Sequence, residues 1–141
     1  MPVIADSRLV RDIDVIRIAP EQTRGWDGLT AIRGDVIGVW HGEQAVAALA
    51  LVAALPEAQQ MRCFLPHYAI RLRSGPAVLA EIAFCFRCRN GRALAFQPDF
   101  GVAGWFTFDP DSAPGRQLLA LFRTAGDNGA DGRAVDNESP Q

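Results

Sequence analysis

Residues 63–96 read CFLPHYAIRLRSGPAVLAEIAFCFRCRNGRALAF, and the spacing of their apolar side chains decides the fold. From Tyr68 to Leu72 large apolar residues fall at every second position, and after Ser74-Gly75-Pro76 the alternation resumes at Val78, Ala80, Ile82, Phe84 and Phe86. Successive side chains of an extended strand point to opposite faces, so this spacing predicts a hairpin with one buried face. The other parity carries His67, Ala69, Arg71, Arg73, Leu79, Glu81, Ala83, Cys85 and Arg87, a mixed and largely polar set. Such a two-faced pattern belongs to an antiparallel sheet with one wet side. Asn90-Gly91 then predicts a tight turn into a third strand through Leu94 and Phe96, because both residues tolerate positive φ.

Working outward, Val15, Ile16 and Ile18 suit a short strand stopped by Pro20. Trp26, Leu29, Ile32, Val36 and Ile37, punctuated by glycines, suit a loop leading into another short strand. Val46, Leu49, Val52 and Leu55 recur at helical spacing, and Pro56 marks the end of that helix. Val102 with Trp105-Phe106-Thr107-Phe108 suggests a strand continuing the meander. Asp111 or Ser112 can cap a final helix beginning near Pro114, with Leu118, Leu119, Leu121 and Phe122 as its apolar face. From Ala125 onward no hydrophobic period remains, which predicts a flexible tail over residues 125–141. The expected architecture is one α+β domain over residues 1–124, an antiparallel β-meander of four to five strands packed on one face by two helices.

Composition narrows the function. The chain has 141 residues, 49% hydrophobic and 21% charged, which is the range of a folded globular domain. All 14 basic residues are arginine. The codon bias of a GC-rich bacterial genome accounts for this without invoking nucleic acid, and the net charge of −2 also lacks the basic excess of a nucleic-acid-binding domain. Asp6, Arg8, Arg11, Asp12 and Asp14 interrupt every apolar run near the N-terminus, so neither a signal-peptide core nor a membrane span is expected there. Three cysteines, an odd number, argue against a disulfide-stapled scaffold and for reduced thiols in the cytoplasm.

Four residues form the most suggestive chemical pattern. Cys63 and His67 read C-x3-H, and Cys85 and Cys88 read C-x2-C. Thiolate and imidazole ligands in two short segments can hold zinc tetrahedrally. In an unbroken strand, however, Cys85 and Cys88 point to opposite faces, and both reach one ion only if the Cys-Phe-Arg-Cys segment folds back as a knuckle. A Cys63–Cys85 disulfide is conceivable at the closest pairing register. His67 could instead activate Cys85 as a nucleophile, although Glu81 is as apt to pair across the strand with Arg71. His41 suits a capping or surface role, and helix capping accounts for the acidic stretch Asp109 to Ser112. No glycine-rich phosphate loop, HExxH or GxSxG motif is present.

The segments CFLPHYAIR and CFRC, with the closing FTFDPDSAPGRQLLALF, resemble a family of small uncharacterised bacterial proteins carrying a CFxP segment, a β-hairpin and a CFxC segment. The likeness spans about Trp26 to Phe122. It implies that Cys63, Cys85 and Cys88 are a characteristic set, and it implies no activity. In the family pattern an arginine and then a histidine follow CFxP, whereas His67 and Tyr68 stand in those places here.

The leading expectation is therefore a non-enzymatic protein-binding module, with toxin neutralisation by an immunity protein as one concrete form. Its docking surface would be the polar hairpin face, carrying Arg71, Arg73, Glu81 and Arg87, or an exposed edge strand, and would meet a protein partner, with no nucleic acid, membrane or cofactor. The alternatives are a zinc-stabilised regulatory module using Cys63, His67, Cys85 and Cys88, and a small cysteine-dependent enzyme.

Overall fold

The computed structural model describes residues 7–22, 31–59, 61–97, 100 and 104–137, with side chains placed as far as Asp127. Trp26, Leu29, Pro98 and Val102 lie outside the described residues. The chain runs β1 (Asp12–Ile18), β2 (Gly34–His41), α1 (Gly42–Ala54), β3 (Tyr68–Ser74), β4 (Ala77–Cys85), β5 (Asn90–Ala95), β6 (Trp105–Thr107) and α2 (Ala113–Asn137). The six strands form one antiparallel sheet in the order β2-β1-β3-β4-β5-β6. This is the expected α+β fold with more strands than the four to five anticipated. β3 to β6 make the meander, and α1 carries the chain from the β2 edge back to β3 on the far side of β1.

The central hairpin has the expected polarity. Ile70, Leu72, Ala80, Ile82 and Phe84 are fully buried in the core shared with both helices. Gly75 takes φ +61° at the first position of the two-residue β3–β4 connection, a conformation that suits glycine. The period slips once, because Leu72 pairs with Ala80 while Arg73 pairs with Val78. The resulting bulge turns Leu79 into the core and leaves Val78 half-buried, the reverse of strict alternation.

Asn90-Gly91 is not the turn. Cys85 already pairs with Asn90 and Phe84 with Gly91, so the chain reverses at residues 86–89 and Arg89 supplies the positive φ of 62°. Gly91 is needed for a different reason. A Cβ there would lie 2.2 Å from the Phe106 ring and 2.7 Å from the Ala83 carbonyl oxygen.

Aromatic rings join sheet to helix. Phe84, Phe108 and Phe122 are fully buried, and Phe122 stacks on Tyr68 with ring centroids 4.9 Å apart. α1 buries Ala45, Ala48, Leu49 and Val52 but exposes Val46. Ser112 caps α2, its Oγ accepting the Gly115 N–H at 3.1 Å. α2 continues to Asn137, so the expected boundary at residue 124 falls inside the helix. Ala125 belongs to the core, and Gly126 is buried against Arg17 and Ile37. Among the described residues no helix is long and apolar enough to cross a membrane.

Candidate functional site

The polar face of the hairpin is an internal ion network. Arg71 donates from Nε to Glu81 Oε2 at 2.7 Å, and its Nη1 lies 3.4 Å from Asp14 Oδ2. Arg73 meets Asp14 with two nitrogens, at 2.9 and 2.8 Å. Glu81 is 3% exposed, and its other oxygen accepts the Ile32 N–H at 2.7 Å. The hydrogen bonds that Arg73 donates to the Asp14 carboxylate raise the Arg73 pKa above its ordinary value. Because a raised pKa stabilises the fold below the unfolded value and is lost only as pH climbs through the folded one, this pair contributes undiminished across neutral pH. Ile16, Ile18, Ile32, Ala69 and Ala83 form a second small core beside the network, covered in part by Phe64 and Leu94.

The fourth expected docking residue, Arg87, sits elsewhere. A cleft of about 730 Å³ opens where β1, β3 and β4 end against α2. Its floor is Tyr68, Phe84, Phe86 and Leu119, and its rim carries Arg17, His67, Arg87 and Arg123. Each rim residue is placed by its element. Arg17 follows Ile13 and Val15 on the helix-facing parity of β1. His67 directly precedes β3, where its carbonyl accepts the Ile18 N–H at 2.9 Å. Arg87 projects from the 86–89 turn, and Arg123 lies next to Phe122 on α2.

These three arginines have no carboxylate partner among the described residues, in contrast to Arg71 and Arg73. A second groove of about 560 Å³ shares Phe86, Leu119 and Arg123 and continues along α2 past Arg116 and Pro110. The combined depression is elongated and apolar at its base, with arginines along its rim and the Asp111 carboxylate lining the second groove. Arg17 and Arg123 were missed in the sequence because they are far from the hairpin, and only the packing of α2 brings them to Arg87.

The expected zinc residues are divided. Cys63 and Cys88 form a disulfide with Cα atoms 5.6 Å apart, in place of the reduced thiols and of the Cys63–Cys85 pairing considered above. The reason is local. β4 stops at Cys85, so the turn swings Cys88 towards the 63–67 segment. Cys85 remains a buried thiol whose Sγ accepts backbone N–H groups from Cys88 at 3.2 Å and Leu65 at 3.4 Å. His67 faces the cleft instead. In the oxidised chain two of the four sulfur and nitrogen ligands are thus committed to each other. The disulfide also ties together the two segments that give the cleft Pro66, His67, Phe86 and Arg87.

No family model, curated protein or solved structure matches the chain.

Proposed function

We propose that the chain is a non-enzymatic protein-binding module, and that its recognition surface is the arginine-rimmed cleft rather than the outer face of the hairpin. The observation that carries this reading is the convergence of Arg17, Arg87 and Arg123, unpaired among the described residues, around an aromatic floor. Guanidinium groups recognise carboxylates through paired N–H donors, and an apolar floor holds the adjoining side chain. The occupant that fits is an acidic segment of a partner protein, an Asp or Glu next to a leucine or aromatic residue. The elongated groove along α2 favours a peptide over a compact small molecule. Toxin neutralisation is the most specific form of this proposal, supported by the chain's small size and mild acidity.

Selection from a phage-displayed library of random peptides tests the reading. The expected outcome is enrichment of sequences with an acid beside a large apolar residue, abolished by the double charge reversal Arg87→Glu/Arg123→Glu. Enrichment that survives the reversal, or none at all, would overturn it. For the immunity form, co-expression with the product of an adjacent toxin gene should restore growth; persistent toxicity sinks that form alone.

A further inference from the structure

A disulfide and a free cysteine lie close together where the 63–67 segment crosses the β4–β5 turn. Cys63 is exposed, Cys88 is fully buried, and Cys85 is 1% exposed. The Cys85 sulfur touches the backbone nitrogen of Cys88 itself, at 3.2 Å. A nitrogen and a sulfur of one cysteine are three bonds apart, so the free thiol lies within about 7 Å of the Cys88 sulfur. Its second contact, the Leu65 N–H, belongs to the segment that carries Cys63. The free thiol is therefore held by backbone N–H groups of the two segments that the disulfide joins.

The surroundings are polar as well. Asn90, 5% exposed and paired with Cys85 in the sheet, donates from Nδ2 to the Cys63 carbonyl at 2.8 Å. Its Oδ1 is buried without a hydrogen-bond partner among the described residues. An unsatisfied buried acceptor beside such a cluster is an unusual feature of a purely structural core.

We propose that Cys63, Cys85 and Cys88 form a thiol–disulfide exchange centre in which Cys88 is shared between two alternative disulfides, Cys63–Cys88 and Cys85–Cys88. Cys85 gives its proton to solvent and its thiolate attacks the Cys88 sulfur. The Cys63–Cys88 bond breaks as the Cys85–Cys88 bond forms, and Cys63 leaves as a thiolate that takes a proton from solvent. One thiol and one disulfide are present before and after, so the step needs no external oxidant or reductant. The product places its thiol on the exposed residue, where its thiolate can attack a low-molecular-weight disulfide such as oxidised glutathione, forming a mixed disulfide and releasing one thiol. The centre stands independently of whether the cleft binds a protein.

Peptide mapping of the full chain tests this directly. Cleavage after Arg62, Arg71, Arg73, Arg87 and Arg89 puts the three cysteines on three different tryptic peptides, so each linkage has its own mass. The chain is equilibrated at pH 8 with reduced and oxidised glutathione, quenched in acid, alkylated and digested. The expected result is both linkages, with Cys85–Cys88 at about a tenth or more of the oxidised chain and Cys63 alkylated or glutathionylated in proportion. Cys63→Ser should still form Cys85–Cys88, and its exposed position keeps the folded circular dichroism spectrum unchanged. Only Cys63–Cys88 in the wild type, with Cys85 and Cys88 both free in folded Cys63→Ser, would overturn the proposal. So would one equivalent of zinc held by the reduced chain, which would make the cluster a metal site.

Discussion

Arg71 and Arg73 on one face of the sheet, and Arg17, Arg87 and Arg123 at the end of the other, look alike in sequence and have opposite fates. The first pair is matched by Asp14 and Glu81, carboxylates buried on neighbouring strands. The second group meets aromatic rings and a helix that, among the described residues, brings no acid to the cleft. A charged residue becomes structural or available according to where the nearest opposite charge lies, and strand register sets that position. Asp14 faces Arg71 across β1 and β3, and Glu81 faces the same arginine across β3 and β4.

The comparison can be strained from either side. Phe122 lies under the cleft and contacts Trp40, Tyr68, Phe84 and Phe86. Phe122→Ala should destabilise the fold by about 4 kcal/mol, measured by urea denaturation, through lost burial and the cavity left behind. On the opposite face, Glu81→Ala leaves the half-buried Arg71 short of its closest carboxylate and Ile32 N–H without an acceptor, an expected loss of about 3 kcal/mol. Arg87→Glu/Arg123→Glu should change stability by less than about 0.5 kcal/mol, because both side chains are exposed and unpaired among the described residues. A large loss in that variant would show that the rim arginines are structural after all.

The smallest effect concerns Gly126. A Cβ there would stand 2.7 Å from the Arg17 guanidinium, whose flexible end can move aside. Gly126→Ala should leave the melting temperature unchanged or raise it slightly, since alanine favours a helix by about 1 kcal/mol over glycine. The same substitution should weaken binding of a selected acidic peptide by displacing Arg17. Equal affinity would remove Arg17 from the recognition set.

Much of the fold was legible because it rests on periodicity. The alternation from Tyr68 to Phe84 shows the buried face of the hairpin, and Ser74-Gly75-Pro76 shows its turn. Local geometry hid the rest. Asn90-Gly91 has the composition of a turn, yet the ring of Phe106 needs Gly91 inside a strand. The bulge at Leu79 inverts two side chains that a period of two assigns the other way. Val46 has the right spacing for the buried stripe of α1, but the alanines at 45 and 48 let the helix approach the sheet on a neighbouring face. For the site, Arg71 pairing with Glu81 was readable from cross-strand spacing, whereas the cleft depends on three elements distant in sequence. The disulfide was hidden for a similar reason, since strand parity fails where β4 ends at Cys85.

The central claim separates five arginines into two kinds, and one titration addresses all of them. Their Nε–H signals can be followed by NMR while a short probe, acetyl-leucyl-aspartate, is added to the oxidised chain. Saturable shifts are expected at Arg17, Arg87 and Arg123, with Arg71 and Arg73 unmoved. Shifts shared equally by all five, or confined to Arg71 and Arg73, would contradict it.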